Sequence, residues 1–142
     1  MKIIGVKKIP VKFFENYKGN LLKFVSKKNS YFKSFGEIYF NEIKYKKKKG
    51  WIKHLKNQCI FSAVFGEINL KLIDGRKNSK TFDKEENIIL NTNKNAVLIV
   101  PPGIWFSFTT NKKKSVLVNL INNTHSDKEV VKLKKIKNHY IK

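Results

Sequence analysis

The sequence predicts an all-β domain built as a jelly-roll barrel, on three observations. Apolar and polar residues alternate in short runs, as they do on a sheet with one buried face. Gly, Asn and Asp punctuate those runs at spacings of about eight to twelve residues, the rhythm of hairpins rather than of helices. Finally, 41% apolar and 13% aromatic residues in a chain of 142 suffice to bury one core and exceed what a disordered chain carries. One domain is therefore expected, with an N-terminal arm over residues 1–15, the barrel over 16–122 and a C-terminal segment over 123–142.

Residues 3–14 alternate loosely around Pro10, which has no amide proton to give a ladder, so they read as an edge strand or an extended arm. The turn Asn16-Tyr17-Lys18-Gly19-Asn20 follows, then a short strand at 21–25 and a polar loop at 27–30. Residues 36–45 alternate cleanly, placing Glu37, Tyr39, Asn41 and Ile43 on one face and Ile38, Phe40 and Glu42 on the other. Lys46-Lys47-Lys48-Lys49 is a run of like charges that repel and cannot pack, and reads as a solvated loop. Strands at 51–55, 59–65 and 68–74 come next, then a polar, mobile excursion over 77–84. Strands at 88–90, 96–100, 105–109 and 115–121 complete the barrel. Residues 127–136 read as a short terminal helix, with Ser126 as its cap and Asp127 and Glu129 at the positive end of its dipole.

A formal charge of +21 attracts polyanions through counterion release. Thirty of the thirty-one basic residues are Lys, however, and Arg76 is the single Arg. Lys shares A/T-rich codons with the equally abundant Asn and Ile, whereas surfaces selected for nucleic acid recruit the bidentate fork of Arg. The excess is read as compositional, and it favours an anionic small ligand over a neutral one. Cys59 is the single cysteine, which excludes an intrachain disulfide and suits a small apolar strand residue. No apolar stretch approaches the roughly 20 residues of a membrane span or the length of a signal peptide, so the expectation is a cytoplasmic protein without membrane insertion.

Certain short segments add a resemblance. Asn16-Tyr17-Lys18-Gly19, Gly36-Glu37-Ile38-Tyr39-Phe40, Lys49-Gly50-Trp51, Gly66-Glu67 leading to Asp74-Gly75-Arg76, and Pro101-Pro102-Gly103 with Ile104-Trp105-Phe106 recur in a fixed order and spacing. From Asn16 to about Glu129 the chain resembles the dTDP-4-dehydrorhamnose 3,5-epimerase family of cupins, in particular its short, divergent members from surface-polysaccharide gene sets. The resemblance implies a cupin (double-stranded β-helix) barrel acting in nucleotide-sugar metabolism for a surface glycan such as lipopolysaccharide. It also implies a nucleotide-sugar ligand, a homodimer with strands exchanged between subunits, and no cofactor.

That family removes protons beside a 4-keto group with a histidine in an Arg-Gly-x-His block, and a tyrosine returns a proton from the opposite face. Laid on this sequence, the arginine falls at Lys49, the histidine at Ile52, an enolate-stabilising lysine near Cys59, a second histidine at Phe106 and the tyrosine near Val118. Ile52, Phe106 and Val118 transfer no protons. His54 lies two residues beyond Ile52 and shares its face of the strand. It is either a relocated base, with Tyr39 as the nearest acid, or a cavity residue that hydrogen-bonds a ligand without moving protons.

Lys18 and Lys49 stand where the family directs cations at the diphosphate or sugar, and Lys23 where it tends to carry an acid. Glu37, Cys59 and Trp105 complete the expected binding residues; Trp51 and Trp105 either stack on the ligand or pack, and for Trp51, which faces away from His54, packing in the core or at a subunit interface is favoured. His125 and His139 follow the barrel and are expected outside its cavity. Only one histidine of the metal-cupin ligand set is present, so no metal is expected. Three readings stand: a sugar-nucleotide 3,5-epimerase with a moved base, a non-catalytic sugar-nucleotide or glycan-binding cupin, and a basic nucleic-acid-binding protein.

Overall fold

The computed structural model describes residues 2–137 and the backbone of 139–140. Two five-stranded antiparallel sheets face each other. The first runs β1 (Lys7–Pro10), β9 (Ala96–Val100), β6 (Cys59–Phe65), β11 (Lys114–Ile121), β4 (Glu37–Lys44). The second runs β12 (Val130–Lys132), β5 (Lys49–His54), β10 (Ile104–Thr109), β7 (Glu67–Asp74), β8 (Glu85–Asn91). A small hairpin of β2 (Phe13–Phe14) and β3 (Leu21–Leu22) stands apart, and β13 (Lys135–Ile136) pairs with β14 (His139–Tyr140). This is the all-β jelly roll expected. Among the described residues no helix is long and apolar enough to cross a membrane.

Alternation explains the core. Phe61 and Ala63 of β6, Leu70 and Leu72 of β7, Phe108 of β10 and Leu117 of β11 all point between the sheets and pack as one cluster. Full burial of each Leu or Phe contributes about 1.5–3 kcal/mol. The outer faces are covered by the chain ends. Phe24, Val25, Tyr31 and Phe32 lie over Ile60, Val97, Ile99 and Leu120 of the first sheet. Val131 and Ile136 lie over Trp51, Ile73 and Trp105 of the second. Trp51 is thus packed under its own chain.

Three expectations are corrected. The terminal helix does not form: residues 130–132 extend and pair with β5, Val130 opposite His54 and Lys132 opposite Ile52. Two β-branched valines, an otherwise unpaired β5 edge and an uncovered Trp51–Trp105 face together outweigh the weak helical preference of a Lys-rich segment. The excursion after β7 is tied down rather than mobile, because the fully buried Asp74 carboxylate accepts hydrogen bonds from Arg76 Nε (2.8 Å), Ser79 Oγ (2.8 Å) and Thr81 Oγ1 (2.6 Å). The strand 21–25 shortens to β3 because residues 24 and 25 leave the hairpin to cover the first sheet.

Gly50 owes its identity to the site that follows it. Its φ is +105°, and a Cβ there would lie 2.5 Å from the Phe106 carbonyl oxygen. A side chain would push β5 off β10 at the point where both enter the cavity.

Candidate functional site

A cavity of about 560 Å³ opens between the sheets on the side where β4 and β12 form their outer edges. The period-two pattern of β4 turns Glu37, Tyr39 and Asn41 into it, and Asn119 of β11 sits beside Tyr39 in register. The facing wall carries Ile52 and His54 of β5. Its floor is aromatic: Phe106 stacks on Phe108 at 6.1 Å between centroids and meets Phe61 edge-on at 5.1 Å. Polar groups therefore ring an apolar floor, an arrangement that takes a ligand with one polar edge and one apolar side.

His54 is buried and fixed. Its Nδ1 lies 2.8 Å from Glu129 Oε2 and 3.1 Å from Oε1, and its ring stacks 6.0 Å from that of Phe106. Glu129 is itself buried and accepts the backbone amides of Lys56 (3.1 Å) and Asn57 (2.8 Å) on Oε1. Burial raises the Glu129 pKa, but the hydrogen bonds from Asn57, His54 and Lys56 outweigh it and hold the carboxyl below its ordinary value. Glu129 is thus an anion that can only accept. His54 therefore donates from Nδ1, and in the neutral ring this tautomer places the lone pair on Nε2.

The predicted residues divide into those that meet here and those that do not. His54, Tyr39 and Glu37 line the cavity, as do the apolar Ile52 and Phe106. Glu37 also accepts the backbone amide of His125 at 3.2 Å. His125 itself borders the cavity, contrary to expectation, because residues 122–129 fold back across the end of β4; the side chain of His139 lies outside the described residues. Trp105 does not reach the cavity: it faces the opposite side of β10 from Phe106, buried with Trp51 and Ile73, with Lys53 Nζ 4.5 Å from its ring centroid. Cys59 is core. Burial pushes its thiol up to about 12, the Asn119 amide at 3.7 Å notwithstanding.

Lys49 is the exposed first residue of β5, and Lys18 is exposed at the tip of the β2–β3 hairpin, both outside the cavity of this chain. Val118 faces away from the cavity, and Asn119 occupies the inward place beside it; Asn119 Oδ1 is buried with no hydrogen-bond partner among the described residues.

Asn119 and Lys132 of the cavity, and Glu129 behind His54, are the groups that sequence reasoning missed. Asn119 was within reach, since counting inward positions along β11 from Leu117 gives Leu117, Asn119 and Ile121. Glu129 and Lys132 lie in the segment whose sequence reads as a helix, which hides the period of two that places them.

Comparison with known proteins bears on the whole chain. The family profile described as dTDP-4-dehydrorhamnose 3,5-epimerase matches residues 1–137. A dTDP sugar isomerase from Desulfovibrio desulfuricans G20 superposes with a TM-score of 0.89 at 24% identity, over 93% of this chain and 85% of that one. A dTDP-4-dehydrorhamnose 3,5-epimerase from Sulfolobus tokodaii gives a TM-score of 0.84 at 21% identity, covering 92% of this chain and 78% of that one. The dTDP-6-deoxy-D-glucose-3,5-epimerase of Legionella pneumophila, solved in complex with dTDP-4-keto-L-rhamnose, gives 0.85 at 15% identity, covering 94% and 74%. At these identities the likeness is one of fold. No curated protein matches.

Proposed function

The chain belongs to the dTDP-4-dehydrorhamnose 3,5-epimerase family, and from that premise we propose that it isomerises a 4-keto sugar nucleotide by moving protons beside the keto group, with His54 as the base. The observation that carries the proposal is the buried His54–Glu129 pair at the cavity wall, 2.8 Å apart. A carboxylate that fixes the imidazole tautomer and stabilises the imidazolium is what a base needs if it is to take a carbon-bound proton. Tyr39 stands on the facing sheet, so the two reach a bound ring from opposite sides. His54 Nε2 takes the proton, the C–H electrons pass to the carbonyl oxygen as an enolate, and Tyr39 returns a proton to the other face, inverting the centre.

Ile52 and Phe106 then form the apolar floor under the sugar, in the places where the family carries histidines. Glu37 and Asn119 offer hydrogen bonds to hydroxyls, and Lys132 draws the anionic diphosphate. Lys18 is supplied by a second copy: the hairpin that bears it exposes Phe13, Phe14, Tyr17 and Leu21, an apolar surface suited to exchange in a homodimer. The reaction belongs to cytoplasmic supply of an activated sugar for a surface polysaccharide.

Proton NMR with a dTDP-4-keto-6-deoxy sugar in D2O tests this. Deuterium uptake at C3 or C5, abolished by His54→Gln with ligand binding retained, is the expected result. Ligand line broadening without uptake would instead mean a sugar-nucleotide-binding cupin that has lost proton transfer.

A further inference from the structure

The two longest lysine runs, at residues 46–49 and 112–114, lie some sixty residues apart in the sequence and meet at one end of the barrel. The β4–β5 and β10–β11 turns are joined by main-chain hydrogen bonds, Tyr45 N–H to the Lys113 carbonyl (3.2 Å) and Lys46 N–H to the Thr110 carbonyl (3.3 Å). With Lys44 they gather eight exposed lysines against the nearby Glu42 and Glu67, and Glu42 lies 3.8 Å from Lys114. Codon composition accounts for the number of lysines in the chain. It does not account for their convergence on two adjacent turns.

Between the turns runs an open groove of about 720 Å³, walled by Tyr45, Phe65 and the stems of the lysines. Both rings are at least half exposed, Tyr45 at 50% and Phe65 at 57%. The groove shares no lining residue with the cavity: along β4, Asn41 faces the cavity and Glu42 the groove.

From this arrangement we infer that the lysine-rich end docks the protein onto an anionic phospholipid surface. Four features select that partner. The lysines are point charges on two turns and the strand ends beside them, at one end of the barrel, so a flat anionic layer meets them together, whereas a strand following the sheets would not. They are Lys rather than Arg, which suits diffuse attraction and not bidentate reading of phosphates or bases. Lysine stems and a Tyr ring set an apolar body beneath a polar tip, the form taken by side chains at a membrane interface, and Phe65 adds a purely apolar surface among them. A second copy of the chain is disfavoured, because a twofold contact through this end would oppose like charges.

The test is sedimentation of the full chain with vesicles. Neutral phosphatidylcholine vesicles are compared with vesicles containing about one-third phosphatidylglycerol, at low and high salt. Each lysine near such a surface raises partitioning about fivefold. Reversing Lys47, Lys48, Lys112 and Lys113 to Glu should therefore lower binding to anionic vesicles by at least about 100-fold, while Phe65→Ser lowers it severalfold and leaves its salt dependence intact.

A control reverses Lys12, Lys27, Lys28 and Lys33 to Glu, for the same change of net charge, and should cost far less. Deuterium uptake into the keto sugar is measured on every variant; retained uptake shows an intact barrel and separates failure here from failure of the proposed activity. The inference is overturned if wild-type protein ignores anionic vesicles, if the control loses as much as the tip variant, or if a single-stranded oligonucleotide binds the same lysines more tightly than the vesicles do at equal salt.

Discussion

Replacing Glu129 with Gln tests the site at a single atom. The carboxylate accepts two backbone amides on Oε1, at 3.1 and 2.8 Å, and His54 Nδ1 most closely on Oε2, at 2.8 Å. Glutamine has one acceptor and one donor end. The backbone amides of Lys56 and Asn57 hold its oxygen at the Oε1 place, so its NH2 group faces Nδ1, and two donors cannot share that contact. His54 must become the acceptor at Nδ1 and carry its proton on Nε2, where the proposed role as base needs a lone pair.

The fold should survive. Exchanging charge-assisted hydrogen bonds for neutral ones costs about 1–3 kcal/mol, readable as a shifted urea midpoint at constant slope. Proton transfer should fall by about 10³–10⁴-fold, the scale of a tautomer reversal in a Ser-His-Asp triad. Imidazole 15N shifts report the tautomer, and deuterium uptake into a 4-keto sugar nucleotide reports the rate. An unchanged Nδ1–H tautomer, or uptake within tenfold of wild type, would refute the argument.

Other consequences are as direct. Burial raises the Asp74 pKa, but hydrogen bonds from Arg76, Thr81 and Ser79 outweigh it and depress the carboxyl well below its ordinary value. Its stabilising effect is therefore present above the unfolded pKa near 4 and is lost as pH falls through the lower folded value. Asp74→Asn should cost about 3 kcal/mol at pH 7 and much less near pH 2, and an equal loss at both would contradict this origin. Cys59, buried with its thiol pushed up to about 12, should resist a thiol reagent at pH 8 in the native state and react fully in urea; native labelling would place it elsewhere. Phe106→Ala should cost about 3–5 kcal/mol through the cavity it leaves and loosen the His54 ring, seen as broadened imidazole signals. Sharp signals with unchanged stability would deny the stacking a role.

How much the sequence revealed depended on whether a segment obeyed one local period. Residues 36–45 did, and the face predicted for Glu37, Tyr39 and Asn41 is the one that lines the cavity. The strands at 59–65 and 96–100 appear with the bounds predicted. Trp105 and Phe106 show the limit: alternation says that they face opposite ways, but only the neighbouring sheet says which side is the cavity. Glu129 shows a deeper one. Its role depends on β5 having a free edge and on Trp51 and Trp105 needing cover, and neither fact is local to residues 127–136. Cys59 and Lys49 were placed by family position, and burial and strand direction put them elsewhere.

The pairing of β12 with β5 is what brings the proposed base to its anionic partner, and it closes a long stretch of chain. His54 sits in the first half of the chain and Glu129 seventy-five residues later. A nascent chain can close much of the sandwich while its imidazole still lacks an anionic neighbour, because the last strand of the second sheet has yet to dock. On the proposed mechanism, proton transfer depends on that edge pairing, and the appearance of activity during refolding would time the docking of β12.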